Sequence, residues 1–186
     1  MLDKLRPHFE KYLELLAKPF AKLKISPNQL TVIGLIITLI GSFFISKNYQ
    51  VIGCLIILIG SLIDALDGSL SRLTKKTSNF GGFLDSTLDR ISDAAIFYSA
   101  AYAKIVSWEI STLGMIASFL VSYTRSRAEL AGSGRFAVGI AERGERLIVL
   151  IISGLMNKID IGIYVVTILA WITFFQRVFE AKKRLK

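Results

Sequence analysis

The chain has 186 residues, of which 53% are hydrophobic and 20% charged, and its formal net charge is +9. A mean hydropathy of +0.55 is too high for an ordinary soluble domain, so the composition favours a compact helical domain in a membrane. In such a protein the placement of Lys and Arg is more informative than their total, and we expect no nucleic-acid partner.

The N-terminal segment 1–27 is predicted to form an amphipathic helix that lies at the membrane interface. Lys and Glu occupy one side of this segment, while apolar residues recur at steps of three or four. These apolar residues include Tyr12, Leu16, Phe20 and Leu23. Pro27 marks the boundary to a second domain, 28–186, which is predicted to contain six helices.

Six apolar segments follow, and we expect each to form a transmembrane helix. The fifth is short of the roughly 17 strongly apolar residues that a span needs. The fold class is therefore predicted as an all-α integral membrane protein with six spans after the amphipathic helix. The spans are Asn28 to Ser46, Val51 to Leu73, Phe80 to Ala103, Ser107 to Leu130, Glu145 to Met156, and Ile159 to Phe179.

Basic residues are distributed unequally between the two sides of the predicted membrane. The connections around Lys47, Lys104 and Lys158 carry few of the 23 Lys and Arg residues. Because basic residues accumulate on the cytoplasmic side, both termini and the connections rich in Arg are predicted to be cytoplasmic in the cell membrane.

Four aspartates interrupt the second and third spans near their predicted cytoplasmic ends: Asp64, Asp67, Asp85 and Asp89. Each pair is spaced three or four residues apart, so its members share one helix face. A short turn separates the two spans, so their helices should be antiparallel neighbours. An ionised carboxylate in a bilayer costs at least ~2.5 kcal/mol, so the four are expected to converge on a cation.

Oxygen ligands without His or Cys favour a hard ion, Mg²⁺ or Mn²⁺, and a pair of such ions suits phosphoryl chemistry. Two alternatives remain open at this point. The aspartates could pair with Arg72, Lys75 and Arg90 for purely structural reasons. They could also form the cation or proton pathway of a transporter.

The pattern Asp64-x₂-Asp67-Gly68-x₂-Ser71-Arg72-x₈-Gly81-x₃-Asp85-x₃-Asp89 resembles the signature of CDP-alcohol phosphotransferases, which has Ala where Ser71 stands. The resemblance implies that all four aspartates hold metal, that Asp89 is also the catalytic base, and that the enzyme is a homodimer in contact with membrane lipids. It further implies a CDP-lipid site at Asn28, Thr31, Asp67, Gly68, Ser71, Arg72 and Gly81.

The cytoplasmic half of the last three spans contains the segments Ser122 to Glu129 and Ala141 to Arg146, which resemble those of phosphatidylinositol-phosphate synthases. The similarity implies that the arginines of these segments bind the phosphate of inositol phosphate, together with one arginine of the last span. They are Arg125, Arg127, Arg143, Arg146 and Arg177. Guanidinium groups suit a dianionic acceptor. Glycerol 3-phosphate is the alternative acceptor, and an anchor for anionic lipid is the alternative role of the cluster.

Overall fold

The computed structural model of the protein describes residues 6–185, and every regular element within that range is an α-helix. The number and positions of these helices agree with the predicted amphipathic helix and six further helices. In chain order the seven helices are α1 Arg6–Lys22, α2 Pro27–Ser46, α3 Gln50–Leu73, α4 Asn79–Tyr102, α5 Trp108–Leu130, α6 Arg143–Leu155 and α7 Ile159–Arg184.

Local hydrogen bonds explain where several helices begin and end. Ser26 caps α2 through a capping box, in which its hydroxyl accepts from the Gln29 N–H and its own N–H donates to the Gln29 side chain. The turns after five helices each contain one residue other than glycine with a left-handed backbone, a common helix-ending conformation. These residues are Lys24, Asn48, Lys75, Lys104 and Asn157.

Within the described range, α2, α3 and α7 are long and apolar enough to cross a membrane, so the chain is a multi-pass membrane protein. Helix α6 has 13 residues and is about 20 Å long, which is shorter than a typical hydrocarbon core of ~30 Å. That α4, α5 and α6 also cross the membrane stays a prediction.

The chain divides into two compact units, Met1–Ile96 and Phe97–Lys186, with the boundary inside α4. The predicted division into segments 1–27 and 28–186 stays a prediction.

In the first unit, α2 and α3 pack closely because glycines face each other along the contact. A Cβ atom added to Gly53 would lie 2.6 Å from the Gly41 carbonyl oxygen, and one added to Gly60 would lie 2.9 Å from the Gly34 carbonyl oxygen. Small residues of this kind allow two membrane helices to approach at backbone distance. The pairing fixes the position of the second half of α3.

Helix α1 packs against α3 through a small apolar core formed by Ala17 with Leu30, Leu66 and Leu70. The predicted apolar stripe of α1 is divided between two faces. Phe20 packs against this core, whereas Tyr12, Leu16 and Leu23 are exposed. Exposed apolar side chains on a short basic helix are suited to the interfacial position that the sequence predicts.

In the second unit, α5 and α6 both pack against α7. Ala117 and Val121 of α5 meet Ala170 of α7 in a buried cluster. The connection between α5 and α6 is bonded to α7, since the Ala141 N–H donates to the Thr173 hydroxyl at 3.1 Å. This contact fixes the position of the chain just before α6 begins.

Candidate active site

The structure brings three of the four predicted aspartates together. One carboxylate oxygen from each of Asp64, Asp67 and Asp85 lies within 4.8 Å of the other two, and all three side chains are half-buried. Asp64 and Asp67 lie on α3, and Asp85 lies on α4 just beyond the short connecting turn. Three converging carboxylates without nitrogen or sulfur donors fit a hard divalent cation such as Mg²⁺ or Mn²⁺.

Close helix packing positions the first of these carboxylates. A Cβ atom added to Gly34 of α2 would lie 3.0 Å from the Cβ of Asp64, so only a glycine lets α2 approach this side chain so closely. Thr31, one turn earlier on α2 and 3% exposed, donates a 2.5 Å hydrogen bond to Oδ2 of Asp67. Helix α2 therefore supports both aspartates of α3.

Asp89 is not a member of the three-carboxylate group within the described residues. It lies four residues after Asp85, on the same face of α4, and its Oδ2 is 3.2 Å from Nη2 of Arg90. Its predicted roles as metal ligand and base stay predictions.

An open cavity of about 190 Å³ adjoins the carboxylate group, which is room for several water molecules. Its lining comes from the start of α2, the end of α3, the α3–α4 turn and the start of α4. The lining residues are Pro27, Asn28, Thr31, Asp67, Gly68, Ser71, Lys76, Thr77, Ser78, Gly81, Gly82 and Asp85.

Six of the seven residues predicted to bind CDP-lipid line this cavity, and Arg72 is the exception. Asn28 and Gly81 lie close together, because a Cβ atom on Gly81 would be 3.1 Å from Oδ1 of Asn28. The Arg72 guanidinium instead lies 3.2 Å from the Ser69 hydroxyl and 3.4 Å from the Glu10 carboxylate of α1. Its part in CDP-lipid binding stays a prediction.

The α3–α4 turn contributes cavity residues that the sequence analysis did not identify: Lys76, Thr77 and Ser78. Ser78 starts α4, since its hydroxyl accepts a 3.0 Å hydrogen bond from the Gly81 N–H. A serine directly before the first residue of a helix is a recognisable cap signal. Nothing in the sequence alone, however, distinguishes Lys76 from its neighbour Lys75.

Two of the five predicted acceptor arginines share a carboxylate in the second unit. Nη1 of Arg125 lies 3.7 Å from Oε1 of Glu142, and Nη2 of Arg177 lies 3.4 Å from the same oxygen. Arg125 also donates through Nε to Glu129 at 3.2 Å. Glu129 in turn accepts from the Phe136 N–H at 2.9 Å, so the α5–α6 connection helps to orient Arg125.

Arg146 and Arg177 are almost fully buried, at 3% and 2% exposure. Arg146 donates to the Ala141 carbonyl at 3.0 Å, and Arg177 donates to the carbonyls of Val138 and Val121. Both guanidinium groups are therefore held inside the second unit by backbone carbonyl groups.

The two remaining arginines are arranged differently. Arg127 is exposed and lies two residues from Arg125, a spacing that places the two on different sides of α5. Arg143 occupies the first position of α6, directly after Glu142. The acceptor roles of all five arginines stay predictions.

The sequence pattern of the CDP-alcohol phosphatidyltransferases matches residues 24–179. The chain belongs to this family. The matched range contains the whole cavity, all four aspartates of the signature and all five arginines. Family membership confirms the predicted enzyme class, a CDP-alcohol phosphotransferase, in preference to the transporter alternative.

Two archaeal relatives match the full length of this CDP-alcohol phosphatidyltransferase. The archaetidylinositol phosphate synthase of Pyrococcus horikoshii is 53% identical over 186 residues, which cover 100% of this chain and 99% of the relative. That of Methanothermobacter thermautotrophicus is 31% identical over 192 residues, covering 100% and 96%.

The fold is similar to crystal structures of phosphatidylinositol phosphate synthase from Mycobacterium tuberculosis. The structure with CDP-DAG bound has a TM-score of 0.81 at 24% identity, over 92% of this chain and 94% of the other. The structure in complex with manganese and citrate has a TM-score of 0.83 at 24% identity, over 91% and 88%. The similarity establishes a shared family fold.

Proposed function

We propose that this protein transfers a phosphatidyl-type group, with diacylglycerol or archaeol tails, from a CDP-lipid to inositol phosphate and releases CMP. The observation that carries the proposal is the convergence of Asp64, Asp67 and Asp85 beside a polar cavity. The full-length identity of 53% to an archaetidylinositol phosphate synthase supports inositol phosphate as the acceptor.

In this proposal Asp64, Asp67 and Asp85 hold divalent metal, two ions of Mg²⁺ or Mn²⁺, with Asp89 as a further ligand. Their oxygen donors suit such ions. A bound divalent ion would supply electrostatic stabilisation for negative charge that develops on the phosphoryl oxygens. Thr31 keeps Asp67 oriented by donating a hydrogen bond to the oxygen Oδ2.

The CDP end of the lipid enters the cavity that Asn28, Gly68, Ser71 and Gly81 help to line. Gly68 leaves the surface of α3 open, since a Cβ atom there would meet only the flexible end of Arg72, at 3.5 Å. A planar base can approach the helix backbone where no side chain intervenes. The hydroxyl of Ser71, which replaces the usual Ala, is small enough to leave that recess open.

Asp89 is proposed to take the proton from the acceptor hydroxyl. The acceptor oxygen then forms a bond to the lipid-side phosphorus, the bond from this phosphorus to the CMP oxygen breaks, and CMP leaves. Asp89 follows Asp85 by one helical turn, so it lies next to the carboxylate group along α4.

The acceptor phosphate is proposed to bind the arginines of the second unit, Arg125, Arg127, Arg143, Arg146 and Arg177. Two observations support this assignment. Arg146 and Arg177 are buried cations, and Arg125 shares Glu142 with Arg177. Guanidinium groups hold phosphate through paired, charge-assisted hydrogen bonds.

We further propose that the termini and the active site face the cytoplasm and that the enzyme is a homodimer. The unequal distribution of basic residues supports the orientation. Family resemblance alone supports the dimer.

The test is an acceptor comparison on the purified full-length protein in detergent. CMP release is measured from CDP-diacylglycerol and CDP-archaeol with inositol phosphate, inositol or glycerol 3-phosphate, with Mn²⁺, Mg²⁺ or a chelator. We expect release only when a divalent ion and inositol phosphate are both present. An Asp85→Asn variant controls for contaminating enzymes, because it removes one of the three converging carboxylates.

Release with glycerol 3-phosphate but not with inositol phosphate would replace the proposed acceptor and leave the enzyme class unchanged. Equal release in the presence of chelator would contradict the proposed role of the carboxylates.

A further inference from the structure

The cavity beside the three aspartates combines strong negative charge with one basic side chain. Asp67 and Asp85 line it, and among the described lining residues Lys76 is the only one with a positive charge. A CDP-lipid carries a diphosphate, which needs cationic or N–H partners wherever it binds. We infer that Lys76 is a binding residue for the diphosphate of the CDP-lipid, an inference that rests on the proposed function.

The backbone of Lys76 is held in place by the way α3 ends. The Lys76 N–H donates a 3.0 Å hydrogen bond to the carbonyl of Ser71, and the Lys75 N–H donates to that of Arg72 at 3.2 Å. Lys75 adopts the left-handed conformation, with φ of 55°. This arrangement is a helix-ending motif, and it brings the chain back toward Ser71, itself a cavity residue.

The start of α4 adds to the attraction for an anion on the same side of the cavity. Ser78, Gly81 and Gly82 line the cavity directly after Lys76 and Thr77. The N-terminus of an α-helix carries partial positive charge. Lys76 therefore lies beside a helix start that favours the same ligand charge.

Arg72 is the basic residue that the signature suggests, but its contacts are directed elsewhere. Its guanidinium lies 3.2 Å from the Ser69 hydroxyl and 3.4 Å from the Glu10 carboxylate, and Arg72 does not line the cavity. Lys76 does line the cavity, and its side chain is exposed and flexible, so its ammonium group can move to meet a phosphate oxygen.

Lys75 provides a matched control for this assignment. It is the adjacent residue, carries the same charge and is also exposed, but it does not line the cavity. A general role in attracting the anionic membrane surface would be shared by both lysines. Of these two lysines, only Lys76 is placed to bind the diphosphate.

The experiment measures equilibrium binding of CDP to the full-length protein in detergent with Mn²⁺ present, at low and at physiological salt. For Lys76→Gln we expect affinity to fall about three- to tenfold at low salt, the effect of removing one partly exposed charge contact. The salt dependence of binding should also become shallower. Lys76→Arg should restore most of the affinity, and Lys75→Gln should match the wild type.

An unchanged CDP affinity in Lys76→Gln, or an equal loss in Lys75→Gln, would overturn the inference. CDP binding that depends on Lys76 in a protein that releases no CMP from CDP-lipid would overturn the proposed function and leave the inference standing.

Discussion

Arg125 and Arg184 of the second unit have similar ion pairs and similar exposure. Each pairs with a glutamate four residues away, at 3.2 and 2.8 Å, and their side chains are 38% and 37% exposed. They differ in their other contacts. Arg125 also approaches Glu142, which it shares with the buried Arg177, whereas Arg184 donates to the Arg135 carbonyl at 3.3 Å and lies over the Phe136 ring. In the proposed function Arg125 is the exposed edge of the acceptor site, and Arg184 is not part of it.

Replacing Arg125 with Gln should raise KM for inositol phosphate by about tenfold, because one charge-assisted hydrogen bond to the acceptor phosphate is lost. KM for CDP-lipid should change little. Steady-state CMP release with each substrate varied in turn provides the measurement, and Arg184→Gln is the control. An equal rise in both KM values, or the same effect in the control, would remove Arg125 from the acceptor site.

At the residue scale the sequence singled out the three aspartates that converge, but it did not single out Lys76. Intramembrane carboxylates are rare and costly, so Asp64, Asp67 and Asp85 stand out in an apolar run. A lysine near the end of a span is ordinary, and only the structure, in which Lys76 lines the cavity and Lys75 does not, distinguishes the two. Asp89, predicted with the others, lies outside the three-carboxylate group of the described chain.

At the scale of elements, the pairing of α2 with α3 holds the aspartates in position. Glycines at the contact bring the two backbones together, and α2 supplies both Thr31 and the close approach to Asp64. A substitution that forces α2 and α3 apart should therefore lower the stability of the protein.

Gly53→Ala should destabilise the protein by about 1 to 3 kcal/mol, the usual cost of inserting a group into a filled contact. The new Cβ would lie 2.6 Å from the Gly41 carbonyl oxygen, which is backbone and cannot move aside locally. Thermal unfolding in detergent should show a Tm lower by several degrees.

Gly68→Ala is the companion variant, since its Cβ would meet only Nη1 of Arg72, at 3.5 Å. It should keep the wild-type Tm. A Gly53→Ala protein as stable as Gly68→Ala would contradict the packing account.

Helix boundaries were predicted to within a few residues where apolar composition sets them. Helix α3 was predicted from Val51 and begins at Gln50, and α2 ends at Ser46 as expected. Among the six predicted spans the largest difference is at the end of α7, which was predicted at Phe179 and lies at Arg184. Polar residues extend it, because Glu180 and Arg184 pair across one turn, a contribution that hydropathy does not measure.

At the scale of the whole molecule, some parts of the fold are suited to lipid and others to water. Helices α2, α3 and α7 are apolar enough for the bilayer, whereas the carboxylates and their cavity require water and ions. The sequence predicted this division because four aspartates interrupt the second and third spans near their predicted cytoplasmic ends. The spatial grouping of three carboxylates needed the structure, because helix rotation determines which side chains meet.

The most direct test of the account is a titration of the purified protein with Mn²⁺, followed by the loss of the free-ion electron paramagnetic resonance signal. We predict saturable binding that weakens at least about tenfold in Asp85→Asn, since one of three carboxylate ligands is lost. Asp160→Asn, at the start of α7 and outside the group, should bind like the wild type. Equal Mn²⁺ binding by all three proteins would contradict the proposed metal centre.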